Sequence, residues 1–451
     1  MDQSYMKTKP VFGLLLSLSL PMVLSMLVSS LYNIVDSYFI AKISEDAMTA
    51  LSLVFPLQNL INATAIGFGV GVNAVVAYYL GSQQTDKAGQ AGWMGIALNF
   101  LHGLILTIVC ALIIRPFLSL FSDSSTVVDL GVQYSMIIFG FTIFNMLGMT
   151  YEKIYQALGK MTVAMSCVLA GCIVNLVLDP IMIFGLGPIP SMGIQGAAIA
   201  TGLGQTVNFV LYLIIGKIRP LNLKLKKPKK LLDMPLIARL YSIGLPALLN
   251  LALPSILISA LNSILAGYSQ AYVVVLGVYY KLQTFLYMPA SGIVQGMRPL
   301  IGYNYGAGEM ERVHRIFRTS LIMIVVIMTI GMAVCLVLPD SLISLFSDSA
   351  QTIEYGTSAL RIICLGFVVS SISVAACGAL EGLGMGMPSL WITLCRYMAV
   401  IIPAAWIFSM MIGATGVWWS FPFAELVSGI AAWFIYHHTL RKLSSSTSPA
   451  L

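Results

Sequence analysis

The chain has 451 residues, 58% of them hydrophobic and only 9% charged, with a mean hydropathy of +0.91. A soluble globular fold of that size needs far more polar surface, so the composition excludes one and points to a polytopic helical membrane protein. The formal net charge of +7 sits in loop lysines and arginines and calls for no nucleic-acid partner.

Met1–Pro10 is short and polar. The apolar stretch after it lacks a small-residue cleavage site and outruns a signal-peptide core, so it reads as a retained span. Breaks at glycine, proline and charge divide the chain into twelve predicted spans, near 11–41, 51–80, 92–114, 131–157, 162–184, 193–216, 237–266, 271–302, 316–339, 355–381, 388–411 and 415–438. Several exceed the roughly 20 residues that crossing requires, which predicts tilt or kinks. An even number of spans puts both termini on one side. That side gathers the basic residues, from Lys7 and Lys9 to Arg441 and Lys442, while the other holds little beyond Lys42, Arg115 and Arg361. The positive-inside rule therefore places both termini in the cytoplasm. The seven cysteines all fall inside predicted spans without a C-x-x-C spacing. They read as small buried hydrophobes, not as disulfides or metal ligands.

An internal duplication runs through the chain at an offset of 225 residues. Ser19-Leu20-Pro21 answers Gly244-Leu245-Pro246, and Gly67, Gly71, Tyr78 and Gly81 answer Gly292, Gly296, Tyr303 and Gly306. Residues 119–124 (SLFSDS) recur letter for letter at 344–349, and Leu158-Gly159 recurs as Leu383-Gly384. Later the offset drifts to 220, where Gly193 and Gly196 answer Gly413 and Gly416. Each unit contains six spans, so the halves are parallel and related by an axis along the membrane normal. The expected architecture is all-α: an N-lobe over 1–216, a basic cytoplasmic linker over 217–236, a C-lobe over 237–438 and a tail over 439–451. The stretch from Lys217 to Lys230 carries seven basic residues in fourteen, which suits a cytoplasmic connector touching anionic headgroups. Paired six-helix lobes suggest rocking between two access states, as in transporters.

Acids within the predicted spans are few: Asp36, Glu152, Asp179, Glu381 and Glu425. In the repeat register Asp36 meets Leu261 or Asn262, Glu152 meets Cys377 and Asp179 meets Ala404. A requirement of the fold would have placed carboxylates in both halves, so the asymmetry favours function. Asn33 and Asp36, like Asn175 and Asp179, lie about one turn apart on one helix face. The four form one polar cluster if spans 1 and 5 pack together. Such a cluster suits a proton held by a carboxyl, or Na⁺ with Asp36 and Asp179 as ligands; the bland alternative is hydration near the outer interface. Pro21 favours a kink in span 1, and Pro246 repeats the feature in span 7. Glu152 either faces a cavity and attracts a cationic substrate or pairs with Lys153. Arg298, Lys281, Arg396 and Glu425 read as ion pairs that fix helix packing. The 25 methionines, 20 phenylalanines and 20 tyrosines suit either core filling or an adaptable pocket for flat hydrophobic cations. Tyr32, Gln58, Asn62, Gln283 and Met288 are the cavity candidates. The sequence carries no phosphate loop, nucleophile arrangement or zinc spacing. That predicts a non-enzyme without a cofactor, driven by an ion gradient.

These residues together resemble the multidrug and toxic compound extrusion (MATE) family over residues 11–438. The resemblance rests on S-L-P and N-x-x-D in span 1, G-x-G-x-G in span 2, A-L-G after span 4, and N-x-x-L-D-P in span 5. The segment from Asn175 to Gly185, followed by Gly196 to Thr201, is similar to the DinF branch, and the spacing from Glu152 to Gly159 to MepA-like members. The resemblance implies two lobes, export of cationic or amphipathic compounds, and antiport with H⁺ or Na⁺ through a prokaryotic inner membrane. It also implies a cation site at Asp36, Asn175, Asp179 and Thr201. Residues 242–265 and 361–380 hold no carboxylate, so a site of the kind that other branches place in spans 7 and 10 has no match. On this view protonation lets span 1 bend at Pro21. Nothing in the sequence demands more than a monomer in contact with lipid and small substrates. Two rival readings are a lipid-linked oligosaccharide flippase, for which a strongly cationic cavity is expected, and a non-transporting scaffold or receptor.

Overall fold

The computed structural model describes residues 3–221, 223–228, 230 and 233–445. Met1 and Asp2, Asn222, Lys229, Leu231 and Leu232 of the predicted linker, and residues 446–451 of the predicted tail lie outside them. The helices in chain order are α1 (Tyr5–Thr8), α2 (Val11–Ala41), α3 (Glu45–Gly81), α4 (Thr85–Ser119), α5 (Ser125–Gly140), α6 (Thr142–Ala157), α7 (Met161–Phe184), α8 (Gly193–Ile218) and α9 (Met234–Ala266). They continue as α10 (Gln270–Gly306), α11 (Met310–Val337), α12 (Pro339–Ser344), α13 (Ala350–Ile363), α14 (Phe367–Gly382), α15 (Gly386–Leu394), α16 (Ile402–Ile412) and α17 (Ala414–Ser445). Among the described residues the only strand-like pairing is one bridge between Leu186 and Ile189.

The predicted spans map onto these helices with three broken members. The fourth is α5 and α6, bent by 48°. The tenth is α13 and α14 joined by a 3-10 turn at Cys364–Gly366, and the eleventh is α15 and α16 joined by a π-helical turn at Cys395–Ile401. Among the described residues nine helical spans are long and apolar enough to cross a membrane, and the bent α5–α6 pair makes ten. The other two, α10 and α17, reach 37 and 32 residues but are more polar. They carry Lys281, Arg298, Glu425 and several tyrosines and histidines.

Two compact units result, one comprising Leu24–Gly244 and the other Ser4–Val23 with Leu245–Leu451. The opening turns of α2 thus belong to the second unit and those of α9 to the first. Repeated glycines explain both placements. A Cβ on Gly71 of α3 would lie 2.7 Å from the Leu240 carbonyl oxygen, so α9 runs against α3 at backbone distance. In the second unit a Cβ on Gly296 of α10 would lie 3.1 Å from the Ser19 amide nitrogen of α2. Other repeated letters are caps. Ser44 and Ser269 accept from Ala47 N (3.0 Å) and Ala271 N (3.2 Å) at the starts of α3 and α10. The duplicated SLFSDS loop supplies Ser124 and Ser349 to the first turns of α5 and α13 in the same way, meeting amides that a helix start leaves unsatisfied.

The repeat register changes by one residue at the π turn. A Cβ on Gly196 would fall 2.4 Å from the Met182 oxygen, and one on Gly416 would fall 2.1 Å from the Phe408 oxygen. Gly159 and Gly384, both at positive φ, are 225 positions apart, whereas Met182 and Phe408 are 226 apart. One residue has been inserted between them, and a π turn is how a helix absorbs an insertion. Asp179 therefore corresponds to Ala405, one residue beyond the Ala404 that sequence register alone implies.

Candidate functional site

In the first unit α7 and α8 cross through glycine. A Cβ on Gly171 would lie 2.8 Å from the Gly204 oxygen, and one on Gly204 would lie 2.7 Å from the Gly171 oxygen. No side chain intervenes, so the residues flanking the crossing meet. Asn175, one turn beyond Gly171, donates from Nδ2 to Thr201 Oγ1 of α8 (3.2 Å) and to Asp179 Oδ1 one turn further along α7 (3.3 Å). Asp179 is fully buried and Asn175 nearly so, at 0% and 2% exposure. Asp36 of α2 is also buried, and its carboxyl lies beside that of Asp179.

The cluster continues through α5 and α3. Tyr134 lies beside Thr201, and its hydroxyl accepts from Gln58 Nε2 at 3.2 Å. Tyr32, half-buried on α2, lies within electrostatic range of both aspartates. Asp36 Oδ1, Asp179 Oδ2 and Asn175 Oδ1 are buried without a hydrogen-bond partner among the described residues. Two carboxyls side by side in a buried site repel when both are ionised, so the pair suits a shared proton. The remaining acceptors are all oxygen, a donor set that also fits Na⁺, with Asp36 and Asp179 as its charged ligands.

Not every predicted residue joins this cluster. Asn33 is exposed and donates to its own helix at Ser29 O, 2.7 Å. Asn62 is exposed and accepts from Asn145 at 2.9 Å. Gln283 and Met288 lie on α10 in the second unit, half-buried and buried respectively. Pro21 and Pro246 sit inside continuous helices.

Glu152 is engaged by Lys153 Nζ (3.0 Å) and Gln156 Nε2 (2.7 Å), with both charged side chains nearly buried. Of its two readings, pairing with Lys153 is the one observed. In the second unit Glu381 takes Arg298 at 2.5 Å, together with Asn250 and Ser389, both at 3.2 Å. Arg396 pairs with Glu425, while Lys281 is exposed. Sequence reasoning missed Tyr134. Its repeat partner is Ala359, so the asymmetry that singled out the aspartates would have found it too.

The MatE family model matches this chain twice, at residues 21–181 and 246–407, starts that are 225 residues apart. The chain is 27% identical over 445 residues to the multidrug export protein MepA of Staphylococcus haemolyticus (strain JCSC1435), covering 98% of this chain and 96% of that protein. It is 26% identical over 449 residues to MepA of Staphylococcus aureus (strain NCTC 8325 / PS 47), covering 98% and 97%. A solved outward-facing multidrug resistance MATE family transporter of the MOP superfamily matches with a TM-score of 0.92 at 22% identity, covering 99% of each chain.

Proposed function

We propose that the chain, which belongs to the MatE family and has the MATE fold, exports cationic or amphipathic compounds from a prokaryotic cell in exchange for protons. The observation that carries the coupling half of this reading is the carboxyl–carboxyl contact of Asp36 and Asp179. In this reading the contact holds one proton between helices α2 and α7, beside the Asn175 amide that bonds Asp179. The export half rests on relatives named for multidrug export along nearly their whole length.

In this reading a proton from outside lowers the charge of the pair from −2 to −1 as substrate leaves, and its loss to the cytoplasm restores the second charge. The altered charge biases α2, which carries Pro21, between two arrangements with alternating access. Both termini face the cytoplasm, on the side of the basic loops. One proton exchanged for one monovalent cation moves no net charge, so only ΔpH drives that cycle, at about 1.4 kcal/mol per unit. The test loads proteoliposomes with ethidium and imposes a pH gradient or a Na⁺ gradient. Efflux under ΔpH, lost in D36N and D179N, supports the reading. Efflux under Na⁺ alone keeps the site and replaces the proton, and no efflux under either gradient overturns export.

A further inference from the structure

The second unit departs from the first where its last two spans cross. Arg396 stands 225 positions from Gly171, and Glu425 stands 220 positions from Gln205, the neighbour of Gly204. Where the first unit has two glycines in backbone contact, the second has the Arg396–Glu425 ion pair, with side chains only 11% and 6% exposed. The inserted residue of the π turn at Cys395–Ile401 lies at the same place. Gly366 makes room for the acid, since a Cβ there would lie 2.9 Å from Glu425 Cγ. Burying an ion pair costs desolvation that apolar packing avoids, and the first unit shows that the crossing closes without one.

The surroundings fit a particular ligand. The Arg396 guanidinium sits 5.2 Å from the centroid of the Tyr397 ring. Tyr279, Tyr280 and Tyr287 of α10 all lie within electrostatic range of both charges. Tyr287 is fixed by a 2.9 Å hydrogen bond with Ser370, and Tyr279 packs edge-on against Phe421. Arg396 Nε, Glu425 Oε2 and the Tyr280 hydroxyl are buried without a hydrogen-bond partner among the described residues. A carboxylate beside one aromatic face and three tyrosine hydroxyls is a receptor for a flat, delocalised cation that carries N–H donors. The guanidinium already in place is such a cation, tethered to the chain.

We propose that Glu425 and its tyrosines form a subsite for planar organic cations in the second unit, and that Arg396 is the tethered occupant such a cation displaces. The proposal rests on the export reading above and adds the place where the substrate's charge is held. It is tested by titrating ethidium into the purified full-length protein, with thermal melting alongside. R396M/E425Q replaces the pair with neutral side chains of similar volume, an exchange that ion pairs of this kind tolerate.

The expected result is an unchanged melting temperature with ethidium Kd raised at least tenfold. R396M alone should bind ethidium several-fold tighter, because the acid is freed. Wild-type affinity in the double variant would overturn the proposal and leave the pair as packing. If the double variant does not fold, Tyr397→Leu decides, since it leaves both charges in place. A Kd raised at least threefold supports the subsite and an unchanged Kd rejects it. Absence of ethidium binding and of ΔpH-driven efflux in the wild type would sink the export reading itself. Efflux by the wild type and by the double variant alike would sink only the subsite.

Discussion

Asp36 on α2 and Asp179 on α7 lie carboxyl beside carboxyl, although 143 positions separate them in the chain. Neither has a carboxylate at its repeat position in the second unit, so the pair is an addition to the duplicated fold. Charge removal by D36N or D179N therefore leaves packing nearly intact and abolishes coupling. Each variant should melt near the wild-type temperature while ΔpH-driven efflux drops to the rate of protein-free vesicles.

External pH acts in one direction. In the proposed cycle protons enter the pair from outside, so raising external pH at fixed internal pH starves the cycle and slows efflux. Asn175 links Asp179 Oδ1 of α7 to Thr201 Oγ1 of α8. Asn175→Leu removes both hydrogen bonds, each worth about 0.5–1.5 kcal/mol, and should slow ΔpH-driven efflux severalfold while leaving ethidium binding intact. Efflux at the wild-type rate would mean that Asn175 only packs α7 against α8.

Glu152 was a candidate for attracting substrate, but its carboxylate is taken by Lys153 and Gln156. Glu152→Gln removes the acid from a nearly buried ammonium and should destabilise the protein by about 3–5 kcal/mol. Pairing it with Lys153→Met should recover most of that loss in thermal melts. Efflux per folded molecule should match the wild type in the double variant. A selective loss of cation affinity would return Glu152 to the substrate path.

Gly71 and Gly296 are repeat partners and do the same work. An alanine methyl at either position meets backbone of the opening turns of α9 or α2. Gly71→Ala and Gly296→Ala should each cost about 1–3 kcal/mol as overpacking does. Gly140→Ala, where a Cβ meets nothing within 4 Å, is the control and should be neutral or better.

Much of the fold was legible because the repeat is written in residues with fixed physical roles. Serines 44, 124, 269 and 349 cap helices, Gly159 and Gly384 turn at positive φ, and Gly71 and Gly296 admit a neighbouring backbone. The π turn was not legible, since an inserted residue inside an apolar run leaves periodicity nearly unchanged; it displaced the predicted partner of Asp179 by one position. In the site, Asp36, Asn175, Asp179 and Thr201 lie near one another, because buried polar atoms in an apolar span have few partners to choose from. Asn33 shares Asp36's sequence spacing but satisfies itself on Ser29 O, a local bond that helix spacing does not distinguish from a tertiary one. Glu152 was ambiguous for the same reason: its partner is the next residue in the chain.

The most direct measurement of the central claim is proton release on substrate binding. Purified protein in weakly buffered detergent solution would be mixed with ethidium while a pH indicator is followed. The account predicts release of up to one proton per wild-type molecule that binds ethidium, and none from D36N or D179N. Binding without release, or equal release from the variants, would contradict a coupling proton held between Asp36 and Asp179.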